Sequence, residues 1–306
     1  MYCFKQISRD SAFPSKRLVS MKFIDIHSHL NFAAYDTDRE AVLSRMNESG
    51  VGTILVGTQK DTSARAVELA QKHDNLYAIV GIHPIHTDVC HHDAEELGGD
   101  ETKEFTSRGE VFDYDFYKKL AIEPKVVGIG ETGLDFYHIT EGGPSDASAL
   151  AGKEEKQRNA FVSQIELAKE LKKPLMLHLR SGNGRDAYDE ALEILKKYKG
   201  EVLGDAHFFA GTIEQAKAFI ELGFTVSFTG VITFAKQYRE VVEAVPLDMM
   251  HAETDSPYVS PEPFRGKRNE PTHVIQVVKK IAEIKNLPLE EVSSQLLKNA
   301  KRVWGV

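Results

Sequence analysis

His27 and His29 stand two residues apart in the stretch "FIDIHSHL", at the end of an apolar run. Side chains two apart on a strand share a face, so both imidazoles would point the same way. Such a pair can grip a divalent metal, or it can be two core histidines held by hydrogen bonds. A short His-x-His alone does not decide between them. Further ligand-type residues fall at the ends of other apolar runs: His83 in "GIHP", Glu131 in "GIGETGLDFY", His178 in "LMLHLR", His207 in "GDAHFFAG" and Asp255 in "HAETDSPY". A buried polar group without a partner costs about 1–3 kcal/mol, and a shared cation satisfies several at once. Four imidazoles (His27, His29, His178, His207) and two carboxylates (Glu131, Asp255) exceed the roughly three protein ligands of one catalytic ion. They suit two ions about 3.5–4 Å apart with one carboxylate bridging. Such a pair of ions lowers the pKa of a bound water, neutralises a phosphate and stabilises the leaving oxygen. That is phosphodiester or ester hydrolysis without a serine or cysteine nucleophile.

These residues need a frame that brings strand ends to one rim. Strand-like runs are read at 23–29, 52–57, 76–82, 126–131, 174–179, 201–207, 224–229 and 249–254. They are short and nearly free of charge, as strands buried on both faces are. Helical patterns separate them: 38–49, which stops at Gly50; 153–173, with a stripe of Phe161, Ile165 and Ala168; and 272–286 and 289–305 at the end. The alternation predicts a parallel α/β sheet, closed as a TIM-type (β/α)8 barrel whose chemistry lies at the carboxyl ends of its strands. A doubly wound open sheet is the alternative. The chain is expected to form one domain with two loop insertions, 86–123 and 138–152. In the first, "DYDFYKKLAI" reads as a helix and the acidic middle as an exposed excursion.

Residues 1–20 lack a periodic pattern and read as a loose arm or a non-native start, with the folded domain at 21–306. No apolar run approaches the ~20 residues of a membrane span. Two cysteines far apart, Cys3 and Cys90, fit a reducing compartment, expected to be the cytoplasm. A net charge of −8 argues against a generic nucleic-acid coat but not against a nuclease, since a metal site and a few local arginines can hold phosphates.

Seven motifs in order, "DIHSHL", "GIHP", "GIGETGLDFY", "PLMLHLR", "HFFAG", "ETDSPY" and "RGKRNEP", resemble those of the TatD family of metal-dependent deoxyribonucleases, from Lys22 to about Trp304. The resemblance implies a TIM-type barrel of the metal-dependent hydrolase superfamily. It also implies that His27, His29, Glu131 and Asp255 hold one ion, and Glu131, His178 and His207 the other. Members act on DNA, commonly as 3′–5′ exonucleases, so the implied substrate is single-stranded DNA or a 3′ end, with Mg²⁺ or Mn²⁺ for activity and Zn²⁺ tolerated. No obligate protein partner is evident. Where many members have a Cys and a small hydroxyl residue in "HCFSG", this chain has Phe208 and Ala210. That change is expected to touch substrate fit more than metal binding.

Other residues carry lesser expectations. His83 is expected to contact phosphate or a water of the metal centre, and otherwise to shape the loop before Pro84. Arg180 shares the face of His178 and suits a phosphate, or a salt bridge to Asp205 or Glu131. Arg265 and Asn269 read as a rim contact or a cap. Asp25 is expected to orient an imidazole N–H. Phe136 and Tyr137 could stack on a base or plug the barrel mouth. His86, His91 and His92 read as a solvated loop. The competing functions are a hydrolase of the same superfamily acting on an amide or carboxylic ester, and a catalytically silent binding protein. Many amide and ester hydrolases of that superfamily place a carboxylated lysine where this chain has Glu131, which favours the nuclease. A silent protein would have lost a ligand.

Overall fold

Eight short strands run parallel, each beside its neighbour in sequence. They are β1 (Phe23–Ser28), β2 (Val51–Val56), β3 (Leu76–Val80), β4 (Val126–Asp135), β5 (Leu175–Arg180), β6 (Gly204–Ala206), β7 (Phe224–Phe228) and β8 (Met250–Ala252). A computed structural model describes residues 21–89, 109–140 and 147–306. β2 and β7 are buried along their whole length, which is why the strands read as apolar runs rather than alternating ones.

The first and last strands meet. His29 N–H donates to Ser256 O at 2.8 Å and Asp255 N–H to His27 O at 2.9 Å, closing the sheet at its carboxyl rim as a TIM-type (β/α)8 barrel. The consecutive strand order excludes the doubly wound alternative. Asp25 belongs to this seam. Its Oδ1 accepts from Thr254 N–H (2.9 Å) and its Oδ2 from Thr254 Oγ1 (2.6 Å), so it ties β1 to the end of β8. It orients no imidazole, contrary to expectation.

Helices fill the crossovers, α1 (Arg39–Ser49), α2 (Lys60–Gln71), α3 (Tyr114–Ala121), α4 (Ala147–Leu171), α5 (Ala187–Leu195), α6 (Ile213–Glu221) and α7 (Arg239–Ala244), and two more, α8 (Val274–Lys285) and α9 (Leu289–Trp304), follow the last strand. Local signals set their ends. Gly50 terminates α1 at φ +68°, the left-handed geometry that glycine adopts without strain. Thr212 and Gln215 form a capping box on α6, a device whose cap residue contributes about 1 kcal/mol. Phe161, Ile165 and Ala168 of α4 are buried, as their spacing predicts. Inside the barrel, Ile24, Ile26, Ile54, Val56, Ile79 and Met176 pack with Trp304 of α9. Gly128 allows that approach, because a Cβ there would meet the indole ring at 2.8 Å.

Several boundaries shift. β4 continues four residues past Glu131, whereas β6 and β8 are three residues each. α4 begins at Ala147, so the segment 138–152 is in part helix rather than a flexible loop. The first insertion is not one excursion. His86 and Thr87 are buried, and so are Tyr117 and Ala121 of α3, which places both flanks in the packed structure. His86 is therefore no solvated residue. Its middle, with His91 and His92, lies outside the described residues, as do residues 1–20. Among the described residues no helix is long and apolar enough to cross a membrane.

Candidate metal centre

The strand ends converge as their residue types require. Glu131 of β4 is the common neighbour. Its Oε2 lies 3.4 Å from His27 Nε2 and 3.8 Å from His29 Nε2. Its Oε1 lies 2.8 Å from His207 Nε2, 2.9 Å from His178 Nδ1 and 3.4 Å from His83 Nε2. Asp255, just past β8, completes the first side, with Oδ1 3.4 Å from His29 Nε2 and 3.7 Å from His27 Nε2. All six residues nominated as ligands are thus brought together, and His83 stands beside them.

α4 fixes Glu131 from outside the barrel. Gln164 reaches in to donate to Thr132 Oγ1 (2.6 Å) and Ile82 O (3.0 Å), and accepts from Ile82 N–H (2.9 Å). Gln157 brackets Asp135 through that residue's N–H and carbonyl. β4 and β5 approach closely at Gly133, where φ is +142° and a Cβ would fall 2.1 Å from His178 O.

The ring nitrogens have distinct partners. His29 Nδ1 faces the carbonyl of Val56 at 3.0 Å and must carry a proton, so in the neutral ring Nε2 is a lone pair turned to the centre. His178 Nε2 faces Asp135 Oδ2 at 3.0 Å, which leaves Nδ1 for the centre. His83 differs. Its Nδ1 accepts the N–H of Ile85 at 3.2 Å, so in the neutral ring Nε2 carries the proton. His83 is then a donor beside Glu131, not a metal ligand, although the nitrogen lies within ligand distance of the cluster.

The electrostatics are those of a cage short of positive charge. Burial would raise the Glu131 carboxyl, but His207, His83 and His27 outweigh it and hold it well below the ordinary range. Burial likewise opposes, and the His29 hydrogen bond with the charges of His27 and His29 overcomes it, at Asp255, which is held low. Burial pushes His83 down to about 4, helped by His178. Among the described residues, both carboxylates find only imidazoles within ion-pair distance. Three buried atoms of the cage, His27 Nδ1, His207 Nδ1 and Glu253 Oε2, lack hydrogen-bond partners. Buried charge of this kind is paired or bound to metal, and mixed imidazole and carboxylate donors fit divalent ions. The His/Glu/Asp groups are able to hold metal.

A cleft of about 930 Å³ opens onto the cage, lined by His29, His83, Glu131, His178, His207 and Asp255, with Arg180, Phe208, Phe234, Tyr258 and Arg265 at its walls. Arg180 makes neither salt bridge considered for it. Asp205 is instead bonded to Thr225 and Ser227, and the Arg180 guanidinium stacks 4.1 Å over the Tyr137 ring. Arg265 stacks 3.9 Å over Phe234. Phe136 is wholly buried and unavailable to a base, whereas Tyr137 is exposed. Asn269 is buried and acts as a brace, donating to Thr254 O and Tyr258 O.

Two carboxylates escape a reading by motif. Asp135 pairs with His178 and, at 2.7 Å, with His138 Nδ1. Glu253 lies behind His27 and His207. Both sit within four residues of a nominated ligand, Asp135 at the end of β4 and Glu253 just past β8, which was the available signal.

A family model described as TatD related DNase matches residues 24–305. The uncharacterized metal-dependent hydrolase YabD of Bacillus subtilis is 38% identical over 286 residues, covering 92% of this chain and 98% of that protein. The crystal structure of YjjV, a TatD homologue from Escherichia coli, superposes with a TM-score of 0.74 at 26% identity, over 93% of this chain and 98% of that one. A TatD family hydrolase from Entamoeba histolytica shares the fold at a TM-score of 0.73 and 22% identity, with 93% and 98% covered. Eight parallel strands, a rim of imidazoles and carboxylates, and a match across nearly the whole sequence agree: the chain belongs to the TatD family of metal-dependent hydrolases.

Proposed function

We propose that this hydrolase cleaves phosphodiester bonds at the ends of DNA, acting from the 3′ end on single strands, with two divalent ions. The observation that carries the reading is the placement of Glu131, whose two oxygens each face a different set of imidazoles. His27, His29, Glu131 and Asp255 would hold one ion, and Glu131, His178 and His207 the other. Mg²⁺ and Mn²⁺ suit the activity, and the donor set tolerates Zn²⁺. Bound there, the ions supply Lewis acidity toward water and neutralise phosphate charge.

The remaining steps belong to side chains. His83 presents its Nε2–H to a phosphate oxygen. Asp255, which lines the cleft, takes the proton from the attacking water. Arg180 and Arg265, each braced on an aromatic ring, hold flanking phosphates. The exposed ring of Tyr137 offers a face on which a base can stack, worth about 1–3 kcal/mol. Two arginines at the mouth of a cleft in a chain of net charge −8 favour a strand end over the length of a duplex.

The test is to strip the protein with a chelator, reload it with Mg²⁺, Mn²⁺ or Zn²⁺, and assay it on 5′-labelled single- and double-stranded DNA beside a panel of amides and esters. Metal-dependent shortening from the 3′ end is expected. Full turnover without metal would overturn the two-ion reading, and turnover of the amides or esters with DNA left intact would overturn the nuclease.

A further inference from the structure

On the side of the cage away from the cleft lies a carboxylate that the proposed reaction does not use. Glu253 follows β8 directly and is fully buried. Its Oε1 accepts the main-chain N–H of Phe208 at 2.5 Å. Its Oε2 stands 3.7 Å from His207 Nδ1 and 3.9 Å from His27 Nδ1, and none of these three atoms has a hydrogen-bond partner. The two rings are stacked, with centroids 4.0 Å apart. Both therefore turn Nδ1 toward Glu253 and Nε2 toward Glu131, at 3.4 Å for His27 and 2.8 Å for His207.

We propose that Glu253 is a positioning residue shared by the two halves of the centre. Its Oε2 accepts Nδ1–H from both His27 and His207, which leaves both Nε2 lone pairs facing the ions. The inference rests on the metal reading above.

The chemistry of each partner leaves little choice. A neutral imidazole has one N–H and one lone pair, so a ring that coordinates through Nε2 must donate from Nδ1. The acceptor has to be buried, because both Nδ1 atoms are. Glu253 is the one carboxylate that reaches both among the described residues. A closing movement of about 1 Å brings each contact to hydrogen-bond length. An ion seated between Glu253 and the two Nδ1 atoms is the competing use of this group, since the three lie within ligand distance. That would make each ring coordinate through both nitrogens, as an imidazolate, whenever the centre is loaded.

Glutamine is the discriminating substitution. With its amide oxygen on the Phe208 N–H, an amide at 253 turns its NH₂ toward the two Nδ1 atoms. With the oxygen on the imidazoles, the NH₂ confronts the Phe208 N–H. Either way one contact sets donor against donor.

The experiment has two arms. In calorimetric titration with Mn²⁺ and Zn²⁺, Glu253→Gln should bind both ions about 10–100-fold more weakly while keeping the wild-type circular dichroism. In ¹⁵N-histidine-labelled, Zn²⁺-loaded wild type, long-range ¹H–¹⁵N spectra should show Nδ1–H on His27 and His207. This second arm needs no variant and so stands even if Glu253→Gln does not fold. Unchanged affinity in the variant, Nε2–H tautomers, or imidazolates in the wild type overturn this inference alone. Absence of ion binding by the wild type overturns the metal reading and this inference with it.

Discussion

His27 and His207 lie face to face, their ring planes 19° from parallel, although they come from β1 and from just beyond β6. A buried stack of imidazoles does not accept two protons. Burial and the charge of His207 push His27 down, whereas at His207 the pull of Glu131 and Glu253 outweighs burial and raises it well above the usual histidine range. His29 and His178 are also raised, against burial, by Asp255 and Glu131 and by Asp135 and Glu131 respectively. The metal-free cage thus holds protons near neutral pH, and divalent cations supply the same compensation.

Ion binding should therefore release protons. Titrations at pH 7 in buffers of different ionisation enthalpy should give heats that scale with that enthalpy, at one proton or more per loaded centre. Heats independent of the buffer would contradict the proton-filled cage.

Glu131→Gln should lose at least one ion and lower kcat by 10²-fold or more, since an amide cannot neutralise two cations. Thermal unfolding should stay cooperative, because Gln164 and the β4–β5 ladder still hold the strand. Elemental analysis that found both ions with a near-normal rate would contradict the bridging role.

Asp255→Asn separates binding from proton transfer. The amide oxygen can still face the cage but takes no proton, so kcat should fall by about 10²-fold or more, with DNA affinity at saturating metal little changed. If Asp255 only braces the turn at Ser256 and Pro257, the variant will keep its kcat and lose thermal stability instead.

Arg180→Gln and Arg265→Gln should each raise KM for DNA and reduce the salt dependence of binding by about one counterion. Both heads are stacked on rim aromatics rather than buried, so melting temperature should move little. An unchanged salt slope would remove the arginine from the phosphate path.

Stability should fall in acid partly through His251. Burial, with Arg302 adding to it, pushes this imidazole down to about 3, and neither ring nitrogen has a partner. Between pH 6.5 and 3 the unfolded chain binds a proton there that the folded chain refuses, so folding stability drops as pH falls through that window. In His251→Leu the loss of unfolding free energy between pH 7.5 and 5.0, measured by urea denaturation without metal, should shrink by about 2 kcal/mol. An equal loss in both proteins would place the acid sensitivity elsewhere.

The eight strands were legible because strands buried on both faces read as apolar runs. β8 was read too long because Glu253 and Thr254 stay buried once the ladder has ended; β6 overran by His207 for the same reason and also began three residues early, at Glu201. The imidazoles stood out as polar residues in apolar surroundings. Glu253 and Asp135 did not, since an acid beside a nominated ligand in sequence also reads as an exposed rim. Gln157 and Gln164 were hidden by their helix, where a polar residue ordinarily faces water. Asp25 was misread because the two-residue periodicity of β1 says nothing of the β8 end that closes against it. Phe136 and Tyr137 are neighbours of one type with opposite exposure, a difference that depends on where β4 stops.

Phe208 and Ala210 depart from the residues common in their motif, yet both main chains still make ordered contacts. Phe208 gives its N–H to Glu253 and Ala210 gives its own to the Tyr188 hydroxyl, while both residues line the cleft. Every residue but proline carries the same peptide N–H. The side chains at 208 and 210 can therefore vary, and with them the shape of the cleft wall, without loss of either N–H contact, within the limit that the backbone at 208 sits at φ +46°, where β-branched residues are strained.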